Sequence, residues 1–256
     1  MPVKDALRSA IQTAVGQEAY LYWLARWYVA RPMGAELRTL VELARRHSDG
    51  DVLDVGAGIG MTCVHLARAL PGRRVHAFEP HPSNRRVLDK VLRTTRTRDV
   101  FVHGVAAGDQ EGSAEMVMPM RNGRALFGLA HVVHESIPDY NEGATVPVRV
   151  VALDDYLRAV GVRRVAGIKI DVENFEYYAL RGCRATLARD RPAILCELWG
   201  NDHRARVIEL LEGLGYVCFV REGGRFARFD ATRTRHAQSL DFFFVAGEDV
   251  HSLEST

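Results

Sequence analysis

Residues 52–62 read Val-Leu-Asp-Val-Gly-Ala-Gly-Ile-Gly-Met-Thr, and this stretch decides the fold of the chain. The largely apolar run at residues 51–55 is typical of a strand that is covered on both faces of a sheet. Gly56, Gly58 and Gly60 follow, and an apolar helical pattern begins at Met61. Glycine adopts positive φ and has no side chain, so a ligand can approach its backbone closely. The stretch therefore predicts a strand, a glycine turn and a helix whose unpaired N–H groups face that turn.

The spacing of the glycines indicates which class of ligand the turn holds. The dinucleotide fingerprint is G-x-G-x-x-G, whereas Gly56, Gly58 and Gly60 form G-x-G-x-G with Asp54 two residues before it. This pattern is typical of S-adenosylmethionine-dependent methyltransferases and argues against NAD. A glycine turn without a ligand is the alternative, but three alternating glycines weaken a fold unless binding compensates for them. We therefore predict a cofactor site at Asp54, Gly56, Ala57, Gly58 and Gly60.

A further cofactor contact is predicted at the end of the second strand, residues 74–79. Glu79 ends this strand about 20 residues after the first glycine, where an acidic residue accepts hydrogen bonds from ribose hydroxyls in nucleotide-binding α/β folds. The alternative is an ordinary acid at a strand end. Residues 100–107 predict a third strand, and its small residues Val105 and Ala106 would leave room for a flat adenine ring.

Composition sets the broad class of the protein. The chain has 256 residues, of which 47% are hydrophobic, enough for one large domain or two small ones with a substantial core. The formal net charge is +2 with acids and bases interleaved, so a nucleic-acid partner is not required. No apolar run reaches the length of a membrane span and no signal-peptide pattern is present, so we expect a cytoplasmic protein without a membrane partner. Four widely spaced cysteines predict buried, reduced thiols: Cys63, Cys183, Cys196 and Cys218.

Residues 1–48 predict an N-terminal helical segment that precedes a methyltransferase domain at residues 49–256. Its helices are expected at residues 4–14, 18–29 and 34–46. The middle helix carries five aromatic residues, which are Tyr20, Tyr22, Trp23, Trp27 and Tyr28. These residues either pack on the sheet or belong to a lid over cofactor and acceptor, and the sequence leaves both interpretations open.

Residues 119–145 show no firm periodicity, and a loop of this length is usually functional or mobile, so we expect it to shape the acceptor site. His131 and His134 lie in it three residues apart, but no cysteine or carboxylate completes a metal set, which favours a structural role. Later strands are predicted at residues 146–151, 164–171, 192–198, 216–220 and 240–245. One helix is predicted to begin at residue 153. A second follows the acidic segment at residues 171–176 and runs to about residue 187, and a third spans residues 204–214.

Together these segments resemble the FkbM family of S-adenosylmethionine-dependent O-methyltransferases over about residues 51–245. The resemblance rests on the glycine motif and on Phe-Glu-Pro at 78–80, Val-Ala-Leu-Asp-Asp-Tyr-Leu at 151–157, Ile-Lys-Ile-Asp-Val-Glu-Asn-Phe-Glu at 168–176 and Leu-Arg-Gly at 180–182. It implies an α/β fold with a doubly wound, mostly parallel, seven-stranded Rossmann-like sheet, one antiparallel strand near the end, and ligands at the carboxyl ends of the strands. Asn174 and Phe175 depart from the glycine and small residue common in the family. Asn tolerates unusual backbone angles, whereas Phe175 is expected to narrow or repack the pocket.

Methyl transfer to a hydroxyl needs a base or a metal, because the hydroxyl is a poor nucleophile until its proton is removed. Asp171 and Glu197 end neighbouring predicted strands, and Glu173 follows just beyond Asp171. We take these three carboxylates as candidate catalytic residues, with His203 as a further candidate base. If a metal is present, Mg²⁺ would be held by Asp171 and Glu197 through oxygen.

Structural roles compete for the same residues. Acids in the first turn of a helix favour its dipole, which would by itself account for Glu173 and Glu176. Lys169 lies two residues before Asp171 and would neutralise Asp54 or Asp171 as a buried pair.

The resemblance implies transfer of a methyl group from S-adenosylmethionine to a hydroxyl of a sugar, glycan or natural-product small molecule. One alternative is a methyltransferase acting on RNA or another macromolecule, which would be expected to add a basic groove with stacking aromatics. Another is a non-catalytic S-adenosylmethionine-binding protein, if the carboxylates are only structural. The sequence leaves the acceptor, the methylated position and any oligomer open.

Overall fold

The computed structural model describes residues 16–121, 124–134 and 141–254, so the helix predicted at residues 4–14 lies outside the described residues. The described helices are α1 (Gln17–Val29), α2 (Ala35–Ala44), α3 (Met61–Ala69), α4 (Pro82–Thr95), α5 (Leu153–Ala159), α6 (Glu176–Arg181), α7 (Arg184–Asp190), α8 (Asp202–Glu212), α9 (Thr234–Ala237) and α10 (Gly247–Glu254), with a 3-10 turn at Phe127–Leu129. The strands are β1 (Asp51–Val55), β2 (Val75–Phe78), β3 (Val100–His103), β4 (Ala106–Gly108), β5 (Gly112–Arg121), β6 (Arg124–Ala125), β7 (His131–Val132), β8 (Gly143–Ala152), β9 (Val165–Ile170), β10 (Ala193–Glu197), β11 (Tyr216–Glu222), β12 (Arg225–Arg228) and β13 (Asp241–Ala246).

The main sheet has eight strands in the order β12-β11-β13-β10-β9-β1-β2-β3. From β3 to β10 every neighbouring pair is parallel, and β13 is antiparallel to both β10 and β11. This confirms the predicted doubly wound α/β fold with an antiparallel strand near its end. The count is eight rather than seven because β11 continues through a tight hairpin into the antiparallel edge strand β12.

The strand order reverses direction at β1, which lies between β2 and β9. Such a reversal opens a crevice at the carboxyl ends of the strands, where open α/β sheets bind their ligands. The register pairs Asp54 with Lys169 and Val55 with Ile170. Asp171 also donates its backbone N–H to the Val55 carbonyl at 3.0 Å. The glycine turn after β1 and the acidic segment after β9 therefore leave the sheet side by side.

A second, five-stranded sheet contains β4, β8, β5 and β6, with β7 paired to β5. The third strand predicted at residues 100–107 is wrong as one element, because the chain passes from β3 in the main sheet to β4 in the second sheet. The structureless loop predicted at residues 119–145 is also wrong in part. Strands β5 and β8 pair antiparallel from Gly112 opposite Val150 to Pro119 opposite Gly143. Residues 122–123 and 135–140 of that prediction lie outside the described residues.

The helix predicted up to about residue 187 is divided into α6 and α7 at Gly182. A side chain at this position would collide with the backbone carbonyl of Gly108, and the Gly182 carbonyl accepts a 2.7 Å hydrogen bond from Asp154 N. At Gly182, therefore, the backbone of the second sheet packs directly against the helical layer.

Two apolar layers bury the main sheet. One face packs against α1 to α4 and the other against α5 to α8. Consecutive residues of β13 serve both layers, since Phe243 belongs to the first and Phe242 and Phe244 to the second. The four cysteines are buried and free, as predicted. No helix among the described residues is long and apolar enough to cross a membrane.

Candidate active site

A cavity of about 500 Å³ opens at the carboxyl ends of β1, β2 and β9, between the two sheets and helix α1. Eight of the twelve predicted site residues line it, and they are Gly56, Ala57, Gly58, Glu79, Val105, Ala106, Asp171 and Glu173. The structure does not place Asp54, Gly60, Glu197 or His203 in its wall. The crevice at the strand-order reversal therefore brings the predicted cofactor residues and part of the predicted acidic group into one space.

The three glycines of the turn all have positive φ, but for different reasons. A Cβ on Gly56 would collide with the backbone carbonyl of Asp171, and one on Gly60 would lie 3.2 Å from the Leu88 side chain. A Cβ on Gly58 would meet no atom within 4 Å. Packing within the protein thus requires the first and third glycines, whereas the second leaves open space for a ligand.

Glu79 connects the turn to the strand beside it. Its Oε2 accepts a hydrogen bond from Gly58 N at 2.8 Å, and its Oε1 accepts from His81 N at 2.8 Å and from Asn84 Nδ2 at 3.4 Å. The side chain is buried, and burial raises the pKa of Glu79 to about 7 despite these donors. A carboxylate has about four acceptor positions, so Glu79 holds the turn in place and retains capacity for one more donor.

Asp54 is fully buried beneath the turn, and burial raises the pKa of its carboxyl to about 6. Lys169 lies opposite it across the β1–β9 pair, and Lys169 Nζ lies 3.0 Å from Asp171 Oδ2. Burial acts to lower the pKa of Lys169, but the charges of Asp171 and Asp54 outweigh burial and raise it. Lys169 therefore forms a partly buried ion pair with Asp171, one of the two partners that the sequence left open.

The segment after Asp171 holds a strained turn that exposes Glu173 to the cavity. Glu173 and Asn174 have φ of 53° and 74°, in the left-handed region where Asn is tolerated and Glu is rare. Glu176 Oε1 accepts from Val172 N at 2.9 Å and from Asn174 N at 3.2 Å, which holds this conformation. Glu176 thus acts as a buried support for the turn.

Several carboxyl groups lie close together at this wall. Burial, together with the charges of Asp171 and Glu197, raises the pKa of Glu173 to about 9, so Glu173 holds a proton at neutral pH. Burial and the Asp171 charge raise the pKa of Glu197 to about 7. Glu197 lies at the end of β10, opposite Asp241 of β13, and acts on the cavity through its charge.

The expected Mg²⁺ site at Asp171 and Glu197 is not supported. Across residues 16–121, 124–134 and 141–254, no three His, Cys, Asp or Glu side chains are grouped to hold a metal ion. The ammonium group of Lys169 occupies one side of Asp171 instead.

His203, the further candidate base, lies behind an aromatic stack. Its ring centroid is 6.2 Å from that of Tyr178, which stacks at 4.8 Å on Phe175. Phe175 itself lines the cavity, and the narrowing expected from its size stays a prediction.

Residues of α1 and of the second sheet complete the cavity, in the two regions where a lid and an acceptor-shaping segment are expected. Tyr20, Leu24 and Tyr28 line it from α1, at a spacing of four residues that places them on one face of the helix. The second sheet and the chain around it add an apolar wall, formed by Met116, Leu126, Leu129 and Val132. His131 also lines the cavity, and its Nδ1 lies 2.7 Å from the Leu129 carbonyl oxygen, which fixes the ring. Among these lining residues, only Tyr20, Leu24 and Tyr28 recur at a helical spacing that could have indicated a shared face from the sequence.

Comparison with known proteins agrees with this geometry. The family model described as the methyltransferase FkbM domain matches residues 54–218, from the glycine turn to β11. This chain belongs to the FkbM methyltransferase family. It is therefore an S-adenosylmethionine-dependent methyltransferase, as its motifs predict.

Relatives of this FkbM methyltransferase include two curated proteins. Methyltransferase 1 of Beauveria bassiana is 27% identical over 186 residues, which cover 67% of this chain and 74% of that protein. The 31-O-demethyl-FK506 methyltransferase FkbM of Streptomyces tacrolimicus is 28% identical over 203 residues, covering 70% of this chain and 77% of that one. A solved methyltransferase FkbM from Methylobacillus flagellatus aligns with a TM-score of 0.48 and 19% identity over 77% of this chain, which spans 43% of that protein's length.

The residues of the cavity fit S-adenosylmethionine. Gly58 presents a bare α-carbon to open space, and a side chain there would project into the cavity. Glu79 adds an acceptor at the position expected for the ribose. The volume of about 500 Å³ lies within the range of small-molecule sites.

Proposed function

We propose that this FkbM methyltransferase transfers a methyl group from S-adenosylmethionine to a hydroxyl of a sugar, glycan or natural-product small molecule. One observation carries the proposal, namely that the turn with open Gly58 and the carboxylates of Asp171 and Glu173 line the same cavity. The Streptomyces relative is named for methylation of a 31-O-demethyl compound, which supports oxygen as the accepting atom. The largely apolar lining from the second sheet supports a small molecule with an apolar body.

The cofactor half of the site is assigned to Gly56, Ala57, Gly58 and Glu79, with Val105 and Ala106 beside the adenine. When bound, S-adenosylmethionine supplies an electrophilic methyl group on sulfur. Asp54 and Gly60 support this half from behind: Asp54 sits beneath the turn facing Lys169, and Gly60 begins helix α3. The unpaired N–H groups at the start of α3 favour a negatively charged or electron-rich ligand group.

On the opposite wall, we assign proton removal from the acceptor hydroxyl to Asp171. The ammonium group of Lys169 lies 3.0 Å from Asp171 Oδ2, which leaves the second oxygen to accept the proton. Glu173 holds its own proton at neutral pH, so we assign it hydrogen-bond donation rather than proton removal. Glu197 contributes through its charge, and His203 remains a candidate base only if the aromatic stack moves.

We also propose that α1 acts as a lid of the N-terminal segment, residues 1–48, over the domain at residues 49–256. Tyr20, Leu24 and Tyr28 face the cavity, whereas Trp23 of the same helix is 66% exposed. A helix that covers an active site excludes water, and this strengthens the electrostatic interactions within the site.

The test compares Asp171→Asn with the wild type in two assays. Calorimetry with S-adenosylhomocysteine is expected to give dissociation constants for the two proteins within about 3-fold of each other, a difference in binding free energy of roughly 0.7 kcal/mol or less. Transfer of labelled methyl groups to a panel of sugars, glycosylated metabolites and RNA is expected to fall about 10²- to 10⁴-fold, the usual range for loss of a general base. Asp155→Asn is the matched control, because Asp155 is an exposed carboxylate paired with Arg158.

Each outcome of this test is decisive for one assignment. Turnover by Asp171→Asn equal to that of the wild type would refute the assignment of the base. Label incorporated only into RNA would replace the small-molecule acceptor with a macromolecular one. Binding of S-adenosylhomocysteine with labelled product from none of the sugars and glycosylated metabolites would refute the proposed class of acceptor.

A further inference from the structure

Asn84 lies on the first turn of α4 and borders the cavity next to Glu79. Its Nδ2 donates a 3.4 Å hydrogen bond to Glu79 Oε1, which also accepts from His81 N. Because Oε1 is an acceptor for both groups, the amide must present its nitrogen to Glu79. This orientation leaves the Asn84 oxygen directed away from the carboxylate.

The Asn84 oxygen has an unused hydrogen-bonding capacity. Asn84 is only 3% exposed, and its Oδ1 has no hydrogen-bond partner among the described residues. Buried polar atoms in folded proteins are paired in the great majority of cases, so an unpaired one on a residue that lines a cavity indicates a missing donor. A ligand in the cavity is the group that can supply this donor.

The contact with Glu79 does not by itself account for an asparagine at this position. Asn84 lies in the first turn of α4 but is not its N-cap, which is His81. Asn84 is also not needed to hold Glu79, since the backbone N–H groups of Gly58 and His81 bind both carboxylate oxygens at 2.8 Å. The side chain is therefore best explained by contact with a ligand.

We propose that Asn84 is a cofactor-binding residue whose Oδ1 accepts a hydrogen bond from one ribose hydroxyl of S-adenosylmethionine, while Glu79 accepts from the other. This inference rests on the cofactor role assigned above to Glu79. A ribose carries two adjacent hydroxyl donors, and Glu79 and Asn84 present two adjacent acceptors. Asn84 would then distinguish a ribose diol from a deoxyribose, because a missing hydroxyl leaves a buried acceptor unpaired.

The experiment measures binding of S-adenosylhomocysteine and its 2′-deoxy and 3′-deoxy forms by calorimetry. The wild type is expected to bind each deoxy form about 10-fold more weakly, because each removes one charge-assisted or buried hydrogen bond. Asn84→Ala is expected to bind the parent compound about 10-fold more weakly and to lose no further affinity with one of the two deoxy forms. Asn84→Leu has a similar volume and provides the same measurement in a variant that keeps the packing.

Ser83→Ala is the matched control, because Ser83 lies on the same turn but does not line the cavity, and it is expected to bind as the wild type does. If both Asn84 variants lose affinity for each deoxy form as strongly as the wild type, the proposal is wrong. If the wild type itself binds no S-adenosylhomocysteine, the cofactor assignment fails instead, and that result is seen before any variant is made.

Discussion

The two walls of the cavity are built from different kinds of sequence information. The cofactor wall comes from one continuous β1-α3-β2 unit, in which Glu79 of one turn accepts the N–H of Gly58 in the other. The opposite wall is assembled from α1, the second sheet and the segment after β9, which are far apart in the chain. They meet where Gly56 passes the Asp171 carbonyl. A local unit can be identified from a motif, whereas an assembled wall depends on how distant segments pack.

Substitution of Gly56, where the two walls meet, should destabilise the protein more than substitution at any other position of the cavity. Gly56→Ala places a Cβ against the Asp171 carbonyl and should cost at least about 3 kcal/mol of unfolding free energy, because backbone atoms on both sides must move. Gly58→Ala should cost only about 1 kcal/mol, since its Cβ enters open space at a positive φ. Urea denaturation measures both. Equal destabilisation by the two variants would show that the walls are not joined at Gly56.

The pH dependence of the unfolding free energy should distinguish Glu79, on the cofactor wall, from Glu173, on the opposite wall. The pKa of Glu79 is about 7 and that of Glu173 about 9 in the folded protein, both above the ordinary 4.5. Each folded carboxyl therefore holds a proton that the unfolded chain releases above pH 4.5. Stability must fall as pH rises, from 4.5 to about 7 for Glu79 and to about 9 for Glu173.

Replacement by glutamine removes each contribution in turn. Glu79→Gln should flatten the fall in unfolding free energy below pH 7, and Glu173→Gln should also flatten it between pH 7 and 9, by up to about 1 kcal/mol per pH unit. The measurement is urea denaturation at a series of pH values. A Glu173→Gln protein whose stability still falls like that of the wild type between pH 7 and 9 would contradict the placement of Glu173.

The smallest expected effect concerns the lid. Tyr20→Ala should weaken S-adenosylhomocysteine binding by about 5-fold, or ~1 kcal/mol, because Tyr20 lines the cavity. Trp23→Ala on the exposed face of the same helix is the control and should bind within 2-fold of the wild type, a difference of about 0.4 kcal/mol. If Tyr20→Ala lowers only the melting temperature, then α1 is a packing element and not a lid.

Much of the main sheet could be predicted from the sequence, because its strands are short apolar runs between turn signals. Strand β1 was predicted at its observed bounds and β2, β9, β10 and β13 within one or two residues. The passage from β3 to β4 is hard to predict because only His103 and Gly104 interrupt the apolar residues between positions 100 and 107, too short a break to separate two strands from sequence alone. The pairing of β5 with β8 joins segments about 30 residues apart, and local patterns carry no information about such a partner.

The same contrast between local motifs and long-range packing applies to the residues of the candidate site. Residues tied to a local motif, such as Gly58 and Glu79, line the cavity as their motif leads one to expect, and their contact with the cofactor stays a prediction. Asp171 and Glu197 are expected together because they end neighbouring predicted strands, with Glu173 just beyond Asp171 and His203 as a separate candidate. Of these four, Asp171 and Glu173 line the cavity, whereas Glu197 and His203 do not. Those two lie behind the wall because β10 pairs with β13 and because Tyr178 stacks on Phe175. Side-chain packing of this kind is not encoded in the spacing of charged residues.

The second sheet is a single stretch of chain between β3 and α5, and this continuity has a practical consequence for engineering. Residues 105–152 enter and leave the main domain at adjacent points and reach the helical layer where Gly108 meets Gly182. A graft of this stretch from a relative would exchange the apolar side of the cavity while leaving the glycine turn and Glu79 untouched. Glycine at positions 108 and 182 is the sequence requirement that such a chimera must respect.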